Sequence, residues 1–411
     1  MSKALVIGSG LAGLVAALRL DEAGHDVTVL TMGMGGLQLS QGTVDILGYS
    51  PERVANPIAA LGDVDESHPY RKLGEQTVRE SVTWLKTLLG EDYLVGDIEA
   101  NVVLPSVVGA LRPTALYQPQ MAAGVLKADT DYTIVGIKQY KDFYPELIAG
   151  NLARQELPGG GKVTARAAWI DFEVRSGEAD ASALTLARAL DRDEMIGKFA
   201  WALSKVPGEG PIGVPAILGY RRLDVAKEVS RRLGREVFEI PGLPPSIPGM
   251  RLNEALRRIL LDRRIRLIQG AQAIGFTTSG GKIASVRTHA AGRDVDYAAD
   301  VIVYAAGGFE SGALEMTSYG EIRETLFDLP LVLPEGSPVH GDYWGDPQPL
   351  FLVGVTTDDA MRPVGTDGKP VYDNLTVAGS LLAGSTRWEE KSGEGIAIAS
   401  AWVAARTVSE V

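Results

Sequence analysis

Three glycines near the start of the chain, Gly8, Gly10 and Gly13 in VIGSGLAG, have the spacing of a phosphate cradle. In GxGxxG between a strand and a helix, the first glycine makes the tight turn and the second lets backbone approach a phosphate. The third lets the helix pack on the strand, so that free helix N–H groups face the anion. The pattern gains weight from EAGHDVTVLT, which brings the chain back where the second strand of a dinucleotide unit should end. A carboxylate normally stands at that tip and holds both ribose hydroxyls of an ADP moiety. Here the residue is Thr31, whose single hydroxyl cannot grip two partners as a carboxylate does. Either an ADP moiety is held there through backbone contacts alone, or the ligand has none. FMN, which has no ADP moiety and needs only the phosphate-cradling glycines, is the first candidate cofactor, and FAD is the alternative.

Further candidates follow. The stretch MGMGGLQLSQGTVDILG places Gly36, Ser40, Gln41 and Gly42 in a loop suited to lie against a flat ring. IVYAAGG ends a buried strand on Gly307, and DNLTVAGSLLAG ends another on Gly379 and Ser380. A helix starting near Gly393 and Gly395 would aim N–H groups at the pyrimidine edge of a flavin and stabilise the charge of its reduced form. Glu389, Glu390 and Glu394 crowd that start and would oppose the effect.

Oxidising an alcohol needs a base for the hydroxyl proton, and a phosphorylated substrate needs a cation. His68 in SHPYRKLG and His340 in SPVHGDYWG lie in loops where a site could form, with a surface or capping role competing for each. His25 and His289 read as solvated. Arg112, Arg251 and Arg362 each lie near a rigidifying proline and are the candidate phosphate ligands, against an ordinary salt bridge. No metal-ligand spacing and no nucleophile motif is present.

The elements that must position these residues are legible from pattern. KALVIG, a helical LAGLVAALRLDEAG and the strand HDVTVLT open an α/β unit. EQTVRESVTWLKTLL is an amphipathic helix, followed by short strands in DYLVGDIEANVVLPSVVGALRPTAL. Strand-like DYTIVGI, KVTARAAWIDF, GVPAILGY and EVFEIP alternate with helical stretches, and LPGGGK is a loop. After RLNEALRRILLD comes a meander with turns at SGGK and AAGRD. The predicted fold is α/β: a Rossmann-like, FAD/NAD(P)-binding flavoprotein core with a β-meander at residues 1–75 plus 240–411, and an inserted α/β substrate or cap domain at 76–239.

Composition narrows the chemistry. With no cysteine in 411 residues, there is no disulfide, catalytic thiol or cysteine-held iron–sulfur cluster in this sequence, so redox chemistry must come from a bound cofactor. A net charge of −12 disfavours nucleic acid as a partner. Glycines and Ser9 interrupt the apolar start, so neither a secretory signal nor a transmembrane segment is expected.

VIGSGLAGL, LSQGTVDIL, HPYRKLG, GALRPTAL, LPPSIPGMRL and GVTTDDAMRP with NLTVAGSLLAG together resemble the B subunits of the anaerobic glycerol-3-phosphate dehydrogenases. LSQGTVDIL and LPPSIPGMRL are far more specific than the dinucleotide turn, and residues 130–235 carry no comparable match. The resemblance implies a fold similar to the succinate dehydrogenase and fumarate reductase flavoproteins, and an FMN-binding chain. It also implies two partners: a second, FAD-containing catalytic chain and an iron–sulfur subunit that anchors the assembly to the membrane. Together they would oxidise sn-glycerol 3-phosphate to dihydroxyacetone phosphate and pass electrons to a quinone. The chain itself would then be cytoplasmic, peripheral on the inner face of the membrane. A non-catalytic relay or scaffold subunit, and a stand-alone flavoprotein reductase, are the competing readings.

Overall fold

The computed structural model describes residues 2–342 and 345–410, which divide into two compact units. The first comprises Met1–Gly36, Asp45–Leu85 and Ala255–Val411, and the second comprises Leu37–Val44 and Lys86–Glu254.

The first unit is organised by a five-stranded sheet in the order Arg266–Gln269, Asp26–Thr31, Lys3–Ile7, Val301–Tyr304, Leu375–Val377. Every neighbouring pair is parallel. We label Lys3–Ile7 β1, the helix Leu11–Glu22 α1 and Asp26–Thr31 β2. Their residues are nearly all buried, as expected for parallel strands covered on both faces. The chain leaves β1 in one direction through β2 and returns on its other side at Val301–Tyr304, so the strand order reverses beside β1. Such a reversal opens a crevice at the carboxyl ends of the strands, where ligands bind.

The meander is an antiparallel ladder of Gln272–Ser279, Lys282–Ala290 and Arg293–Ala298. The last helix, Gly393–Ser409, packs on α1 and on the strands Val301–Tyr304 and Leu375–Val377. The amphipathic helix expected over residues 75–89 is present; Gly74, non-helical at φ 72° and ψ 157°, separates it from a short helical segment that starts at Pro69. No helix among the described residues is long and apolar enough to cross a membrane.

The second unit holds a four-stranded parallel sheet in the order Thr164–Ile170, Asp131–Ile137, Ile212–Pro215, Val237–Ile240. These are the four strand-like stretches of the sequence. Its core includes Tyr132, Phe143, Phe172, Phe199 and Phe238, with edge-on pairs Phe172–Phe199 and Tyr132–Phe238.

Candidate functional site

The carboxyl ends of the first sheet converge on the amino end of α1. Gly8 N–H donates to Leu30 O at 2.8 Å, and Ala305 N–H to Ile7 O at 2.8 Å, aligning the ends of β1, β2 and Val301–Tyr304. Gly8 sits at φ +111°, and a Cβ there would lie 2.1 Å from Ala305 O, so only glycine fits. At Gly13 a Cβ would meet Gly8 O at 2.1 Å, which makes this glycine the close contact of helix on strand.

Gly10 differs. It is the cap residue of α1 at φ −71°, no side chain caps the helix, its first turn holds no acidic residue, and a Cβ would find no heavy atom within 4 Å. Free N–H groups therefore face open space, which suits a diphosphate.

Gly379 closes one side of this cradle, where its Cβ would approach Ala12 Cβ to 2.9 Å, and its N–H is held by Ser400 Oγ of the last helix. Gly307 and Gly308 close another side, beside Glu310, Ser311 and the Ser380 carbonyl. The structure thus brings together Gly8, Gly10, Gly13, Gly307, Gly379 and Ser380.

A cation that sequence reasoning missed joins them. Arg387 Nη1 donates to Ser380 O at 3.0 Å, and Nη2 lies 3.9 Å from Glu310 Oε1. Burial pushes its guanidinium below its usual range, against the pull of Glu310 and Glu390. Nothing in TRWEE marks it; its one signal was a lone arginine seven residues after Ser380.

Thr31 is buried, and its hydroxyl donates to Gly33 O at 2.7 Å and pairs with Ser9 Oγ at 2.9 Å. That hydroxyl pins the following turn and is not offered to a ribose. Gly33 and Gly36 beyond it are exposed, and a Cβ on either would meet nothing within 4 Å. Backbone there is open to a ribose, so the cradle fits a dinucleotide flavin without a carboxylate clamp.

Gly395 lies elsewhere than expected. Its N–H donates to Asp45 O at 3.0 Å, and a Cβ would meet Tyr70 Oη at 2.2 Å, making it a packing glycine at the start of the last helix. Tyr70 is fully buried and its hydroxyl donates to the carbonyls of Ile46 and Ser392; burial, with Glu390, Glu394 and Asp45 nearby, pushes that phenol well up.

His68 belongs to the same knot. It is buried rather than at the surface, Nδ1 accepts from Tyr70 N–H at 3.1 Å, and Nε2–H donates to Glu390 Oε2 at 3.0 Å. Glu390 also accepts from Ser392 Oγ and from the N–H and hydroxyl of Thr386. Burial would raise its carboxyl, but these donors outweigh burial and hold it down at about 2. The charge that threatened the helix start is thereby absorbed, while Glu389 points to solvent.

The other candidates are scattered. His340 is exposed and pairs with Gln348, and Arg362 is half-exposed in an ion pair with Asp358 at 2.7 Å. In the second unit, three motif stretches do meet. Arg112 is buried and donates to Thr43 Oγ1 at 2.9 Å, and Gln118 Nε2 donates to Gly42 O and Pro248 O. Arg251, fully buried, makes a two-point ion pair with Glu239 at 2.7 and 2.8 Å and donates to Gly219 O and Gln118 Oε1. Gly42, at φ +72°, packs on Pro248, and Ser40 Oγ accepts from its N–H. Gln41 Oε1 is buried without a hydrogen-bond partner among the described residues.

Comparison with known proteins agrees with this geometry. The profile of a family described as FAD binding domain matches residues 3–396. The chain is 29% identical over 430 residues to a Halobacterium salinarum protein named as the probable B subunit of an anaerobic glycerol-3-phosphate dehydrogenase, covering 100% of this chain and 98% of that one. It is also 29% identical to the proteins named as the B subunit of the same enzyme in Vibrio cholerae, covering 98% and 95%, and in Yersinia enterocolitica, covering 98% and 97%. The family match supports a flavin, FAD in particular, and corrects the expectation of FMN as first choice. That expectation treated a missing carboxylate as a missing ADP moiety, whereas the turn after Thr31 presents backbone instead.

Proposed function

The chain belongs to the FAD binding domain family, and from that premise we propose that it is the flavin-containing B subunit of an anaerobic glycerol-3-phosphate dehydrogenase. The system would oxidise sn-glycerol 3-phosphate to dihydroxyacetone phosphate and pass electrons to a quinone through an FAD-containing partner and an iron–sulfur subunit at the membrane. The observation that carries the reading is the end-to-end similarity to relatives named as this subunit, in a chain with an open phosphate cradle and no cysteine of its own.

FAD, when bound, supplies a two-electron acceptor. The chain's own residues do the rest: α1 offers uncapped N–H groups to the diphosphate, Arg387 adds a fixed cation beside Ser380, and Tyr70, His68 and Glu390 hold the start of the last helix. The insertion at 76–239 is assigned to the substrate side in this reading.

A relay role has a specific observation behind it. His68 and Arg251 are saturated by protein partners, and Arg362 is paired, so none is poised as a base or phosphate ligand. Anaerobic mixing of the flavin-loaded chain with glycerol 3-phosphate separates the two. Bleaching of the flavin absorbance by the isolated chain means catalysis here, whereas bleaching only after the catalytic partner is added means relay. No bleaching with the partners present overturns the glycerol phosphate reading.

A further inference from the structure

The strand Thr164–Ile170 forms one margin of the sheet in the second unit, beside Asp131–Ile137. Thr164 N–H donates to Thr130 O and Ile170 O accepts from Lys138 N–H, both at 3.0 Å, so Thr164, Arg166, Ala168 and Ile170 turn their backbone groups inward. By the alternation of a strand, the N–H and C=O groups of Ala165, Ala167 and Trp169 turn outward, and they have no hydrogen-bond partner among the described residues.

Natural sheets blunt such an edge with lysine, proline or a bulge. This strand, TARAAWI, has no lysine or proline, its register with its neighbour is unbroken, and its one cation, Arg166, is paired with Asp131. The helix Pro145–Leu152 packs on the same strand, and Trp169 Nε1–H donates to Glu146 Oε1 of that helix at 2.6 Å. Tyr144, Leu147 and Trp169 are nonetheless 60%, 47% and 42% exposed, so bare apolar surface lies beside the open backbone.

We infer that this edge pairs antiparallel with the same edge of a second copy of the chain, about a two-fold axis at Ala167. The register follows from which groups are free. Ala167 meets Ala167 of the other copy and Ala165 meets Trp169, so every outward N–H finds an outward carbonyl. The side chains suit this register: large Trp169 lies opposite small Ala165, Arg166 opposite Ala168 and Thr164 opposite Ile170, so no like charges are directly opposed. At each end the exposed Asp171 comes beside Val163 and the exposed Lys162 of the other copy, which sets opposite charges together. The patch is thus self-complementary, as a closed dimer requires. The inference concerns the second unit alone and does not depend on the flavin or on the glycerol phosphate reading.

Sedimentation velocity of the flavin-loaded full chain over a dilution series tests it, with a concentration-dependent dimer as the expected result. Ala167→Pro removes an N–H that the single chain does not use, so it should fold like the parent by circular dichroism and raise the dimer dissociation constant roughly tenfold or more. Because proline also fixes φ, a second pair of variants leaves the backbone unchanged. In this cysteine-free chain the thiol of Ala167→Cys would face its own copy across the axis at a Cα separation of about 5.5 Å, within disulfide range, and should cross-link under mild oxidation. Ala165→Cys, opposite Trp169, should not. A monomer at every concentration, a dimer indifferent to Ala167→Pro, or cross-linking at both positions or at neither would each overturn the inference. So would a strand protected from amide exchange only after a partner chain is added, which would give the edge to that chain.

Discussion

Gly10→Ala separates holding a cofactor from holding the fold. Gly10 has φ −71° and ψ −177°, which any residue adopts, and its Cβ would touch nothing within 4 Å. In the flavin-free chain the extra methyl therefore changes stability by no more than about 1 kcal/mol, since restriction of the unfolded chain offsets the weaker helix cap. In the loaded chain the methyl stands where a phosphate oxygen must approach the amino end of α1. Losing two charge-assisted N–H bonds, about 1.5–3 kcal/mol each, weakens flavin binding by about 3–6 kcal/mol, or roughly 10²–10⁴ in Kd. Urea unfolding of the stripped protein and fluorescence titration with FAD measure the two halves. Unchanged FAD affinity would refute the cradle, and a collapse of the stripped protein would refute the claim that this space is open.

Gly8→Ala should behave oppositely, losing about 3 kcal/mol or more of fold stability in urea unfolding, because its Cβ strikes Ala305 O at a left-handed backbone. Arg251→Met should cost about 3–5 kcal/mol by stranding Glu239, and Arg251→Met with Glu239→Met should recover much of it, as read by hydrogen exchange in the second unit. Glu390, held at about 2 in the fold against an ordinary 4.5, makes the folded state bind fewer protons than the unfolded state between those values. Its stabilisation is full above about pH 5 and fades as pH falls toward 2. Glu390→Gln should thus cost about 2 kcal/mol at pH 7, allowing for partial exposure, and little at pH 2; an equal loss at both would count against the His68–Glu390 link.

What was legible in the sequence was what local pattern encodes. The strands Lys3–Ile7, Asp131–Ile137 and Val237–Ile240 are short apolar runs bounded by turn residues, and Gly8, Gly10 and Gly13, set between a strand and a helix and followed by EAGHDVTVLT, point to a cradle. His68 was not legible, because the acceptor that takes its Nε2–H lies 322 residues away. Arg251 reads as a loop cation until Glu239 on the preceding strand and the Gly219 carbonyl, 32 residues away, enclose it. Arg387 has no periodicity to announce it; the nearby Ser380 carbonyl and Glu310, far along the chain, place it. Thr31 misled for a different reason: backbone recognition of a ribose leaves no side-chain signature.

The central claim is that the cradle at α1 holds a flavin with an ADP moiety despite Thr31. Acid release of the cofactor from the purified chain, followed by chromatography and mass measurement, tests it directly. FAD is the predicted result; FMN, or a folded protein that carries and takes up no flavin, would contradict the account.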